Sequence, residues 1–149
     1  MAFALRTEIE IDATPEEVWA VLTDLDRYAQ WNSFITSAEG EVAVGQQLVN
    51  RIEPPGRRAM TFRPTVTEAE PARVFEWLGR FLLPRLFDGR HRFELEAMPD
   101  GGTRLIHGES FRGLLTPVLR RSLETSTLAG FEAMNRELKA RVEQDVRAA

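Results

Sequence analysis

The run Arg90-His-Arg-Phe-Glu-Leu-Glu-Ala-Met-Pro-Asp-Gly-Gly-Thr-Arg-Leu-Ile-His-Gly-Glu-Ser-Phe-Arg112 decides the architecture. His91, Phe93 and Leu95 alternate with Arg90, Arg92, Glu94 and Glu96; Leu105, His107, Glu109 and Phe111 alternate with Arg104 and Ser110. A period of two marks strands with one apolar and one wet face. Pro99-Asp100-Gly101 carries turn residues, so the two strands form a hairpin. A three-residue loop there pairs positions whose numbers sum to about 200. Leu95 then faces Leu105, Phe93 faces His107, and His91 faces Glu109. Both histidines and Glu109 fall on the apolar side.

The pattern continues towards the N-terminus. Phe3, Leu5, Thr7, Ile9 and Ile11 alternate with charged or small residues in a first strand. Thr14-Pro15-Glu16-Glu17 is a capping box with proline at the first helical position. It opens a helix carrying Val18, Val21, Leu22 and Leu25, and a second short helical piece is expected from Asp26 to Trp31. Strands follow near 35–42 and 47–53, separated by Gly45. After the turn Pro54-Pro55-Gly56 comes a strand bearing Met60, Phe62 and Val66. Pro64 lies inside that run, which argues for an edge position or a bulge. Phe75, Trp77 and Gly79 face away from Glu76 and Arg80 in the next strand.

Beyond the hairpin, Thr116-Pro117 starts a helix. Leu119, Leu123, Thr127, Phe131, Met134, Leu138 and Val142 step by three or four residues along one stripe. The helix is expected to run about 28 residues, roughly 42 Å. The order is strand, two short helices, about six strands and a long helix, which defines an α+β class with an antiparallel sheet. The 149 residues suit one domain, 1–149, and 43% of them are apolar.

Composition excludes several functions. The chain has no cysteine and only two histidines, which removes disulfides, thiolate metal sites and histidine-rich metal sites. Of 19 basic residues 18 are arginine, against 23 acidic residues, for a net charge of −4. Arg57/Arg58, Arg90/Arg92 and Arg120/Arg121 form scattered pairs rather than a basic run, so no nucleic-acid partner is expected. The first residues reach charge too early for a signal peptide, and no window approaches the roughly 20 apolar residues that span a bilayer. A cytoplasmic protein without membrane insertion is expected. No phosphate-binding glycine loop, Gly-x-Ser-x-Gly elbow or paired-aspartate signature is present, so no metal or cofactor is called for.

Five stretches carry a resemblance to a known family. They are Ile11-Asp-Ala-Thr-Pro-Glu-Glu-Val-Trp-Ala-Val-Leu-Thr-Asp-Leu25 with Tyr28-Ala-Gln-Trp-Asn32, Phe87-Asp-Gly-Arg-His-Arg-Phe93, Glu109-Ser-Phe-Arg-Gly113, and Gly130-Phe-Glu-Ala-Met-Asn135. With Gly45, these make the chain similar to the START-related superfamily SRPBCC, near its polyketide cyclase/dehydrase-like branch. The resemblance covers essentially the whole chain. It implies a helix-grip fold, a seven-stranded antiparallel sheet curled around the long C-terminal helix, enclosing an elongated apolar cavity. Members bind or process lipids, sterols and polyketides, and the fold by itself gives no reaction.

Two constellations bear on function. His91 and Glu109 form a candidate acid–base dyad, the carboxylate orienting the imidazole. The alternative is a buried pair that only stabilises the strand ends, or one that meets an arginine such as Arg51. The second constellation is aromatic. Trp31, Phe34, Phe62, Trp77, Phe87, Phe93, Phe111 and Phe131 are candidates to line a ligand cavity, with Gly79, His107 and Met134. Part of this set, with Phe75, is equally plain core. Gly79 and Gly130 leave space or mark close packing. The apolar loop 82–87 and Leu114-Leu115 read as a lid, a partner surface or a tucked-in loop, and Tyr28 reads as packing. Three functions stay open: binding of a small hydrophobic molecule, an aromatase/cyclase- or dehydratase-type enzyme using His91 and Glu109, and an interaction module using 82–87.

Overall fold

The computed structural model describes residues 2–81 and 83–149. Met1, in the N-terminal run, and Leu82, in the 82–87 loop, lie outside the described residues. Strand β1 (Ala2–Ile11) leads into helix α1 (Pro15–Leu22) and a 3₁₀ turn (Leu25–Gln30). Strands β2 (Ile35–Glu39), β3 (Val49–Ile52), β4 (Met60–Phe62), β5 (Thr65–Glu70), β6 (Val74–Arg80), β7 (Asp88–Ala97) and β8 (Thr103–Arg112) follow. The capping box forms as read: Thr14 accepts from the Glu17 N–H while Glu17 accepts from the Thr14 N–H. Tyr28 is buried and donates to the Leu22 carbonyl, a packing role between the two short helices.

The hairpin register matches the sequence reading. Leu95 pairs with Leu105, Phe93 with His107 and His91 with Glu109, and Gly101 takes the positive φ of the turn. The expected single seven-stranded sheet is corrected. Eight strands form a five-stranded sheet, ordered β1-β8-β7-β6-β5, and a three-stranded sheet, ordered β2-β3-β4. Pro64 is the physical reason. It has no N–H to give a ladder and ends β4 before β5 begins. Register survives the break: Ile52–Met60, Asn50–Phe62 and the isolated pair Gln47–Thr65 follow one antiparallel alignment. Leu48 N–H to Pro64 O at 2.8 Å, and Val66 N–H to Gln46 O at 2.9 Å, stitch the two sheets at this seam.

The C-terminal helix is longer than expected and not uniform. It runs as α2 (Thr116–Ser122), one π turn (Leu123–Thr127) and α3 (Leu128–Ala148). A π turn widens the helix locally and shifts the side chains beyond it, a device found often at functional sites. Past it, Phe131, Met134, Leu138 and Val142 are buried, and α3 packs against β1 and β8. Burial of each such side chain contributes roughly 1.5–3 kcal/mol.

On the outer sheet face, Glu76 is buried beneath arginines. Arg90, Arg92 and Thr67 each donate to its carboxylate at 2.8 Å. Burial raises the Glu76 pKa, but these hydrogen bonds outweigh it and hold the carboxyl below its usual range. A lowered carboxyl stabilises the fold above its ordinary value of 4.5, and that contribution fades as pH falls. Glu76→Gln is expected to cost about 1–3 kcal/mol in urea unfolding at neutral pH. The gap from wild type narrows below pH 4.5; a gap independent of pH contradicts this origin.

Candidate functional site

A cavity of about 410 Å³ lies between the two sheets and the start of the C-terminal helix. β3 and β4 supply Asn50, Ile52, Met60 and Phe62; β6 and β7 supply Trp77, Gly79, Gly89 and His91. β8 contributes Glu109 and Phe111, and the helix contributes Leu119, Ser122, Leu123 and Thr127 around the π turn. Such a volume falls within the roughly 300–1,000 Å³ common for small-molecule sites. Gly79 keeps the space open: a Cβ there would touch nothing nearer than 3.9 Å.

The sequence-derived candidates divide. Phe34, Phe62, Trp77, Gly79, Phe87 and Phe111 reach the cavity, with His91 and Glu109. Trp31, Phe93, His107, Phe131 and Met134 do not line it. Trp31 packs edge-on against Tyr28, outside the cavity. Phe93, His107, Phe131 and Met134 lie fully buried. Gly130 leaves no space either, because the Phe34 ring presses against it where a Cβ would stand. Arg51, a possible partner of the dyad, instead lies near Glu53 at 4.0 Å.

His91 and Glu109 stand side by side, Nδ1 to Oε1 3.2 Å apart. Gly89 is what admits the carboxylate, since a Cβ there would collide with the Glu109 side chain. On its other edge, His91 Nε2 lies 2.7 Å from Nε2 of His107. His107 Nδ1 lies 2.7 Å from Asn135 Oδ1 on α3. Asn135 Nδ2 donates to Thr7 Oγ1 at 2.8 Å, and the Thr7 hydroxyl donates to the His107 carbonyl at 2.7 Å. Rings enclose the pair: Trp77 stacks on His91 at 4.7 Å, while Phe93 and Phe131 each stack on His107 at 4.3 Å.

This chain of contacts dictates where protons sit. The His107 carbonyl can only accept, so Thr7 donates to it and takes a hydrogen bond from Asn135 Nδ2. Asn135 Oδ1 is thereby turned to His107 and requires a proton on His107 Nδ1. Burial, aided by the neighbouring His91, pushes the His107 pKa well below 6.5, despite the opposing hydrogen bond that His107 donates to Asn135. His107 is therefore neutral with a bare Nε2, and His91 Nε2–H donates to it. The remaining ring nitrogen of His91, Nδ1, is turned to Glu109. The cavity wall thus carries a single acid–base pair whose far side is fixed by buried partners.

Sequence reasoning missed Thr7 and Asn135 as members of this chain, and Asn50 at the cavity. Each is a polar residue standing in the apolar phase of its strand or helix, and that misfit was the available signal. Asn50 is buried, and among the described residues its Oδ1 has no hydrogen-bond partner.

A five-on-three antiparallel sheet arrangement gripping a long C-terminal helix around a cavity defines a helix-grip protein. The chain belongs to the family described as polyketide cyclase / dehydrase and lipid transport, whose model matches residues 2–143. The Zhui aromatase/cyclase from Streptomyces sp. R1128 is similar in structure, with 20% identity, a TM-score of 0.78, and coverage of 99% of this chain and 98% of that one. The di-domain aromatase/cyclase StfQ of the steffimycin biosynthetic pathway gives 14% identity and a TM-score of 0.78; 98% of this chain covers 52% of that one. The chain thus spans about half the length of such di-domain proteins. A norcoclaurine synthase point mutant from Thalictrum flavum, solved with a transition-state analogue, gives 11% identity and a TM-score of 0.75 over 97% of this chain and 96% of that one. No curated protein shows significant sequence similarity to the chain. Among the described residues no helix is long and apolar enough to cross a membrane.

The neutral state of His107 has a measurable consequence. An unfolded histidine takes up a proton below about pH 6.5, whereas the folded one resists it. The unfolded state then binds more protons, so stability falls as pH drops through this range, by up to about 1.4 kcal/mol per pH unit. His107→Gln is expected to flatten urea-unfolding stability between about pH 7 and 5 relative to wild type. Equal slopes for the two proteins contradict the assignment.

Proposed function

We propose that the protein binds a small hydrophobic molecule in the cavity between its sheets and the C-terminal helix. The open space of about 410 Å³, walled by Phe34, Phe62, Trp77, Phe87 and Phe111, carries the reading. Family membership supports it, because the family's description joins cyclase, dehydrase and lipid-transport proteins. The interaction-module alternative needed a cavity filled by side chains; the open cavity takes away that support. Exposed Phe81 then reads as part of the rim of the opening.

A second reading is favoured by one observation. His91 Nδ1 lies 3.2 Å from Glu109 Oε1 at the cavity wall, with His107 and Asn135 holding the remote edge of the imidazole. A pair of this kind can take a proton from a carbon next to a carbonyl and return one to a departing hydroxyl. That supports a cyclase- or dehydratase-type reaction on a bound polyketide-like molecule, with no cofactor required.

Native mass spectrometry of the purified protein tests both readings. Wild type is expected to carry a hydrophobic adduct. Gly79→Phe, whose ring would fill the cavity, is expected to lose the adduct while keeping its thermal midpoint within a few degrees. Absence of any adduct, together with no thermal shift from a lipid and polyketide panel, contradicts the binding reading. Glu109→Gln is expected to retain an adduct heavier than the wild-type one by one water. Identical masses contradict the dehydratase reading and leave binding intact.

A further inference from the structure

We infer that the cavity's ligand is an amphipathic anion. Its apolar body lies among the aromatic rings, and an acidic group rests at the opening on Arg57, Arg58 and Arg80. This deepens the proposed binding function and rests on it.

Charge is distributed unevenly along the cavity. The whole chain carries −4, yet the outer end is ringed by three guanidinium groups. Arg57 and Arg58 sit on the turn that joins β3 to β4, and Arg80 ends β6; all three are exposed and line the cavity. Among the described residues, no carboxylate comes within 4.0 Å of Arg57 or Arg58, and Arg80 only reaches Asp88 at that distance. Arg90 and Arg92, by contrast, are paired on the outer sheet face with Glu76, and Arg92 also with Glu68 and Glu94. The one carboxylate lining the cavity, Glu109, lies on the inner wall beside His91.

Burial follows the same axis. Along β3 and the turn beyond it, Asn50 is buried, Ile52 is half-buried, and Arg57 and Arg58 are exposed. On β6, Trp77 is buried, Gly79 half-buried and Arg80 exposed. A molecule aligned with this gradient places an anion outermost, apolar surface in the middle and an oxygen function innermost. The inner end asks for that oxygen independently. Asn50 Oδ1 is buried without a donor, and an unmet buried acceptor is costly unless a bound group satisfies it. A ligand hydroxyl at the buried end of the cavity supplies such a donor. Guanidinium groups suit the other end, because they bind carboxylate-like anions through paired, charge-assisted hydrogen bonds.

Two dyes with one skeleton test the idea. Anilinonaphthalene sulfonate is an apolar anion, and phenylnaphthylamine is the same ring system without the acidic group. Wild type is expected to bind the sulfonate about tenfold more tightly at low ionic strength, with the preference shrinking as salt is added. Arg57→Gln combined with Arg58→Gln is expected to bring the two affinities to within about twofold. That variant is expected to keep the wild-type thermal midpoint, because among the described residues neither arginine holds an ion pair. Gly79→Phe should abolish binding of both dyes. Equal affinities in wild type, or a preference that persists in the arginine variant or in Gly79→Phe, overturn the anion inference alone. Failure of phenylnaphthylamine to bind at all overturns the cavity reading beneath it.

Discussion

The contact of 2.7 Å between Nε2 of His91 and Nε2 of His107 is the interaction on which the rest of the structure turns. Both rings are buried, and a buried polar group without a partner costs about 1–3 kcal/mol. The contact is tolerable only because the hydrogen bonds beyond it are complete, through Asn135 to Thr7 and back to the His107 carbonyl. That circuit joins β7, β8, β1 and α3. It fixes how far the helix slides along the sheet, in a way that a stripe of leucines would not. Removing a single member leaves the others unmet, so the circuit specifies one packing of helix on sheet.

The same circuit shapes the cavity wall. With His91 committed to His107 on one edge, its Nδ1 edge is turned to Glu109 at the cavity wall. Gly89 gives the carboxylate room, whereas Gly130 is packed against the Phe34 ring. The π turn spreads Ser122, Leu123 and Thr127 across the remaining side. Apolar rings around one imidazole–carboxylate pair line the space that is left.

Much of this was legible in the sequence. Alternation across residues 90–112 gave the hairpin register, and with it the neighbouring His91 and Glu109. The helix stripe from Phe131 to Val142 was read from its spacing. Other features depend on long-range packing and carried no local sign. Pro64 was visible as a break, but the sequence does not say that the chain would resume in register across it and divide the sheet in two. Inward-facing aromatics cannot be sorted into wall and core by phase alone, because Trp77 and Phe93 share a face and only one meets the cavity. Thr7, Asn50 and Asn135 were detectable in principle, as polar residues in apolar phase, yet their partners lie on distant elements.

The central claim is that buried hydrogen bonds fix the tautomer of His107, with its Nδ1 protonated towards Asn135 and its Nε2 bare towards His91. With two histidines in the chain, a nitrogen-15 NMR spectrum of the imidazoles shows four ring nitrogens and can be assigned with one histidine variant. The account predicts that His107 is protonated on Nδ1 and bare on Nε2 at neutral pH, with His91 protonated on Nε2. A proton on His107 Nε2, or a doubly protonated His107, would contradict it.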